Sequence, residues 1–186
     1  MPFSQRHARL ALRLLGWQCI DVQNRPPRSV LAVYPHTSNW DFPLGLLAAK
    51  ALGLGAHWVG KDTLFRWPFG GLMRWLGGIP VNRSAPAGFV DGIAAQIRGH
   101  ERFMLAIAPE GTRSLRPGWK SGFYRIARAA GVPVLVGTID YGQRRIGLLA
   151  AIELSGDEAA DMAKIAGCLA ECRGRRPELA SPIHLL

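Results

Sequence analysis

The sequence predicts an α/β fold, a mostly parallel central sheet flanked by helices, with an N-terminal amphipathic helix in front of it. Three observations carry this expectation. Short β-branched and apolar runs at 29–34, 103–108 and 132–139 alternate with helix-periodic segments at 41–52, 87–99 and 121–130, the pattern of parallel strands joined by crossover helices. Two of those runs pass straight into polar loops, and open α/β sheets place their chemistry at the C-terminal ends of strands. Residues 4–17 carry arginines and leucines at spacings of three and four.

In the N-terminal segment, Arg6, Arg9 and Arg13 recur at helical spacing, Leu10, Leu14 and Trp17 share a face, Ser4 serves as N-cap and Gly16 as stop. Such a helix can lie in a membrane interface, arginines on headgroups and leucines at the acyl boundary. It can equally pack on the domain's own core with its arginines solvated. Arg25-Pro26-Pro27-Arg28 then reads as a linker.

The run 29–34 is a buried strand, and Pro35, which cannot donate to a ladder, ends it. His36 and Asp41 follow in the loop. Their spacing is too long for one helical face, but a turn can fold the carboxylate back onto the ring. An Asp that accepts from one ring nitrogen leaves the other free to take a proton, a general base needing no protein nucleophile if the substrate supplies the hydroxyl. The structural alternative is that Asp41 caps the helix 41–52, which Gly53 stops, and that His36 is an ordinary loop histidine.

A short strand at 56–59 leads to Gly60-Lys61-Asp62. The segment 64–76 is unusually aromatic: Phe65, Trp67, Phe69 and Trp75 stand among leucines, with Arg66 and Arg74 interspersed. It lines an apolar groove or touches lipid, or else it is a core helix. Residues 79–83 form a short strand or edge segment ending on Arg83, before the helix 87–99. The clearest strand, 103–108, runs into Pro109-Glu110-Gly111-Thr112-Arg113-Ser114. Here a guanidinium, a hydroxyl and a flexible glycine can grip phosphate, with Glu110 holding Arg113 or accepting from a substrate hydroxyl. A plain Glu110–Arg113 salt bridge is the structural alternative. The helix 121–130 stops at Gly131; strands 132–139 and 145–152, a helix 157–172 and a basic, proline-containing tail complete the chain.

Length and charge bound the function. At 186 residues the chain holds one domain with short appendages: the helix and linker 1–28, a domain 29–172 and the tail 173–186. A net charge of +10 favours anionic partners, such as a membrane surface with anionic lipid, an acidic carrier protein or a phosphorylated substrate. No zinc knuckle, basic heptad or aromatic-basic module argues for nucleic acid. Cys19, Cys168 and Cys172 lack disulfide-framework spacing, which favours a reducing compartment, and neighbouring metal ligands are missing from the sequence pattern. No run reads as a membrane span or a signal peptide.

Taken together, these loops resemble the motifs of the glycerol-phosphate acyltransferase family, of the 1-acyl-glycerol-3-phosphate (lysophosphatidate) acyltransferase type. His36-x4-Asp41 stands for the first motif. The stretch from Lys61 through Gly77-Gly78-Ile79-Pro80-Val81-Asn82-Arg83 stands for the second, Glu110-Gly111-Thr112-Arg113 for the third and Val132-Pro133-Val134 for the fourth, in order and at matching intervals over about residues 30–140. The resemblance implies that His36, oriented by Asp41, deprotonates an acceptor hydroxyl, which attacks the thioester of acyl-carrier protein or acyl-CoA directly. It implies that Arg83, Glu110, Gly111, Thr112, Arg113 and Lys61 bind a lysophospholipid acceptor, that no metal or redox cofactor takes part, and that the enzyme sits peripherally on the cytoplasmic face of the cell membrane. The aromatic segment would then line or neighbour the acyl groove.

The chain departs from the family pattern in three places. Pro35 stands where Asn is frequent, Thr37-Ser38-Asn39-Trp40 replaces the commoner loop, and Val136-Gly137-Thr138 lacks a second proline. These leave the acid/base pair intact and leave the acceptor open. An acyl-thioester or lipid hydrolase is the rival enzyme, although a Gly-x-Ser-x-Gly elbow is missing. A non-catalytic lipid-binding protein is the rival of another class.

Overall fold

The computed structural model describes residues 4–81 and 88–186. Its elements are α1 (Gln5–Leu14), β1 (Gln18–Ile20), β2 (Arg28–Tyr34), α2 (Asp41–Leu52), β3 (His57–Lys61), α3 (Gly70–Trp75), β4 (Gly78–Val81), α4 (Phe89–Gly99), β5 (Phe103–Ile107), α5 (Gly122–Ala130), β6 (Val134–Asp140), β7 (Arg145–Ile152) and α6 (Glu158–Leu169). The strands form one sheet in the order β1-β7-β6-β2-β5-β3-β4. β6, β2, β5, β3 and β4 run parallel; β7 lies antiparallel to β6, and β1 pairs parallel to β7.

The mostly parallel α/β sheet agrees with the sequence pattern, and two details lie beyond it. β1 is three residues long and falls in a stretch too short and too polar to carry a periodic signal. β7 reverses direction because four residues join it to β6, whereas a parallel return needs a crossover of a dozen or more.

Alternation along the strands builds a core on each face. Val30, Ala32 and Tyr34 of β2 and Val134 and Val136 of β6 pack with α4, α5 and α6 around the fully buried Trp119 and Phe123. Leu31 and Leu135 point the other way, and Ile139 packs with α1 and α2. α1 docks on α2 through Ala8 and Leu12, both wholly buried, and truncating Leu12 to Ala would cost about 2–5 kcal/mol. The opposite side of α1 leaves Leu10 and Leu14 in solvent, so the face predicted to unite Leu10, Leu14 and Trp17 is divided: Trp17 is buried. One side of this helix thus packs on the domain's own core, as one sequence reading expects, and the other presents leucines to solvent.

The segment 64–76 is divided in the same way. Phe65 is buried, stacked on Trp58 at 5.7 Å, whereas Trp67, Phe69, Leu72 and Trp75 are exposed. The core-helix reading of this stretch fails for most of its aromatic rings. Among the described residues no helix is long and apolar enough to cross a membrane.

Candidate active site

β2 and β5 are hydrogen-bonded neighbours, so the loops that leave their C-terminal ends meet at one sheet edge. Residues 35–40 leave β2 and residues 108–114 leave β5. This is why two motifs 74 residues apart share a site.

His36 and Asp41 meet as their spacing predicts. His36 Nδ1 lies 3.3 Å from Asp41 Oδ2, with the histidine side chain 19% exposed and the aspartate 1%. The same Oδ2 accepts the backbone N–H groups of Thr37 at 2.9 Å and Ser38 at 2.8 Å. These donors lie upstream of α2, so the carboxylate ties the loop after β2 together, and among the described residues it makes no capping bond to the helix it begins. Oδ1 accepts from Tyr141 Oη at 2.8 Å. Burial raises the Asp41 pKa, but the bonds from His36, the Ser38 N–H and Tyr141 outweigh it and hold the group below the ordinary carboxylate value. An ionised Asp41 facing Nδ1 favours the tautomer with its proton on Nδ1, which leaves the lone pair on Nε2.

Glu110 is buried, and both its oxygens are taken by backbone. Oε2 accepts the N–H of His36 at 2.6 Å, and Oε1 accepts the N–H of Ser181 at 2.9 Å. Burial raises its pKa, more than these bonds lower it. Arg113 is exposed and, among the described residues, has no ion pair with Glu110 or any other carboxylate. The structural alternative of a Glu110–Arg113 bridge is thus overturned: Glu110 is aimed at the floor of the site, and the guanidinium is left facing solvent. Gly111 makes the turn between them with φ +66°, a conformation that favours glycine, and its N–H donates to the Ala108 carbonyl. Thr112 is half-buried beside it. Lys61 is exposed at the C-terminal end of β3, on the same edge of the sheet. Arg83 lies outside the described residues.

Two contributors have no sequence motif. Tyr141 comes from the β6–β7 turn, 100 residues from Asp41. The segment 173–186, read from composition as a basic tail, runs beneath both loops. The Arg176 N–H donates to Thr37 Oγ1 at 3.2 Å, and Gly174 passes so close that a Cβ there would stand 2.5 Å from that oxygen. Further on, the Trp119 N–H donates to the His184 carbonyl and the Leu186 N–H donates to the Trp119 carbonyl.

A family model described as Acyltransferase matches residues 17–139, which is most of the chain and includes both loops. The chain belongs to the acyltransferase family. Its fold is similar to the crystal structure of the 1-acyl-sn-glycerophosphate (LPA) acyltransferase, PlsC, from Thermotoga maritima, with a TM-score of 0.56 and 19% identity over 88% of this chain and 73% of that one. No curated protein matches the chain significantly. In this acyltransferase, then, the two loops that the family match spans are the two that the sheet brings together.

Proposed function

We propose that this acyltransferase moves a fatty acyl group from an acyl thioester, on acyl-carrier protein or coenzyme A, to a hydroxyl of a lysophospholipid such as 1-acyl-glycerol-3-phosphate. One observation carries the reading: a His–Asp pair, bonded through Nδ1, shares a sheet edge with an exposed guanidinium that among the described residues has no carboxylate partner. His36 Nε2 takes the proton as the acceptor oxygen attacks the thioester carbonyl. The tetrahedral oxyanion collapses, the C–S bond breaks, and the departing thiolate takes the proton back from the imidazolium. Ester and thiol are the products; the chemistry consumes thioester and hydroxyl alone, and no acyl group passes through the protein.

Arg113, with Thr112, Gly111, Lys61 and Arg83, would grip the acceptor's phosphate, since a guanidinium fork matches phosphate in two places. We assign Glu110 a positioning role in place of the substrate contact its motif suggests, because its oxygens are bonded to His36 and Ser181. The place of action would be a membrane surface with anionic lipid, on the cytoplasmic face. The exposed aromatic segment, where Trp67 is 94% and Trp75 80% accessible, and the outward leucines of α1 support this.

The deciding experiment is product analysis by mass spectrometry. The full chain and His36→Ala receive a long-chain acyl thioester with lyso-lipids bearing or lacking phosphate. A new acylated product that needs His36 is expected. Free fatty acid as the sole His36-dependent product would replace the transferase by a hydrolase, and an undiminished His36→Ala would remove the general base.

A further inference from the structure

On the Tyr141 side of Asp41 lies an open cleft of about 470 Å³. Pro43, Leu44 and Leu47 of α2 and Leu15 supply its apolar lining. Tyr141 spans the depth: its ring meets Trp17 edge-on at 5.0 Å, while its hydroxyl is the group bonded to Asp41. Arg144 and Arg175 line the cleft as well.

The two arginines are held in a particular way. Arg144 Cζ lies over the Trp17 ring, 5.8 Å from its centroid, and Arg175 Cζ over the Trp40 ring, also at 5.8 Å. A cation held over a ring face is attracted by the ring's quadrupole and takes up no carboxylate in doing so. Among the described residues neither arginine has a carboxylate within ion-pair distance. The backbones that carry them are stapled together by the buried Asp140. Its Oδ1 accepts from Gly142 N and Gln143 N in the turn before Arg144, and from Arg173 N in the segment before Arg175. Tyr141 N–H donates to the Arg173 carbonyl at 2.8 Å, closing the staple. Two cations thus line an apolar trough on backbones tied together by Asp140, and among the described residues no carboxylate pairs with either.

We propose that this cleft binds a single-chain amphiphile with an anionic head, the phosphate or carboxylate bridging Arg144 and Arg175 and the chain lying along Leu44 and Leu47 toward Leu15. The exposed Leu15 and Trp40 that line it give that chain an apolar route to a lipid surface. The site is separate from the grip assigned to Arg113, which stands on the loop after β5, and it goes beyond the proposed transfer reaction.

The test is equilibrium binding, without turnover, in an Arg113→Ala background that removes the acceptor grip. Three ligands of one chain length are used below their micelle concentrations: a lysophosphatidate, a free fatty acid and a neutral monoacylglycerol. At least one anionic ligand should bind about ten-fold more tightly than the monoacylglycerol, and Arg144→Gln with Arg175→Gln should erase that preference. Tight binding of the lysophosphatidate alone assigns the head to phosphate, of the fatty acid alone to carboxylate; both support the site. Equal affinity for the neutral lipid, binding untouched by the double variant, or no binding by any of the three overturns it. The comparison of anionic with neutral ligand needs no arginine variant, so it stands should the double variant fold poorly. Failure here leaves the His36-dependent product assay unaffected.

Discussion

Glu110 and His36 are joined by a 2.6 Å hydrogen bond from the backbone N–H of the histidine to Oε2 of the glutamate, across 74 residues of chain. The other oxygen holds Ser181. A carboxylate offers a separate acceptor oxygen to each of two N–H donors. Glu110→Gln keeps the shape but turns an NH2 toward one of them. A buried N–H left without an acceptor costs about 1–3 kcal/mol. We expect a lower unfolding temperature and a fall in kcat at nearly constant acceptor KM, because the damage is to the placing of His36. A rise in acceptor KM with kcat preserved would put Glu110 on the substrate.

The same bond shows where sequence reading runs out. Strand patterns located β2 and β5, and the polar loops after them were visible because proline and glycine end the runs. His36 and Asp41 were legible because they are close in sequence and their side chains face each other. Glu110 was visible as a residue and misleading as a role, since its partners are backbone groups that no residue type betrays. Tyr141 and the segment 173–186 reach the site by topology: the β6–β7 turn and the end of the chain converge on Asp140. A basic, proline-containing stretch looks solvated until the N–H groups it donates are known. Trp17 faced inward, against expectation, because α1 ends before it and the chain turns at Gly16.

The Tyr141 hydroxyl on Asp41 makes a pH prediction. Asp41 is held below the ordinary carboxylate value, so the stability it adds is present above its unfolded pKa and is lost as pH falls through the lower folded value. Tyr141→Phe removes one of the bonds that lower it. The folded pKa of Asp41 should rise, acid unfolding should set in at a higher pH, and stability at neutral pH should fall by about 1.5–3 kcal/mol, the usual worth of a bond to a charged group. An acid-unfolding profile that stays in place would show that the Tyr141 hydroxyl does not hold the Asp41 carboxylate.

Asp41→Asn is the stronger test of the pair. The amide can still accept from one side but no longer carries the charge that stabilises an imidazolium. Turnover should fall about 10²–10⁴-fold, with binding of the thioester unchanged. A loss confined to KM would make Asp41 a structural tie and nothing more.

Asp161 sets a second, structural pH limit. It accepts from Tyr124 Oη at 2.9 Å, from Ser155 N and Oγ, and from Gly156 N, and so binds α6 to α5 and to the β7–α6 turn. Burial raises its pKa, but these bonds prevail and lower it from 3.8 to about 2. The stability it supplies is therefore complete above about pH 4 and is lost as pH falls through about 2. In Asp161→Asn the unfolding midpoint should be lower at neutral pH and should depend less steeply on pH in that window. A wild-type and variant difference that does not shrink on acidification would rule this carboxylate out as the source.

The exposed rings of the α3 region give the last prediction. Trp67 and Trp75 touch little of the fold, and Arg66 beside them is 74% exposed. Aromatic rings next to a cation suit the boundary between headgroups and acyl chains, where a ring finds an apolar contact and a guanidinium an anionic one. Replacing both tryptophans by Ser removes that contact while leaving the core, which holds Phe65, untouched. The unfolding temperature should change little. Partitioning onto vesicles containing anionic phospholipid should fall by roughly ten-fold for each ring, corresponding to about 1.5 kcal/mol of apolar transfer. Sedimentation with vesicles of anionic and of zwitterionic lipid measures this directly. Binding that survives in the double variant and disappears in one carrying Leu10→Ser and Leu14→Ser would move the lipid contact from the α3 region to α1.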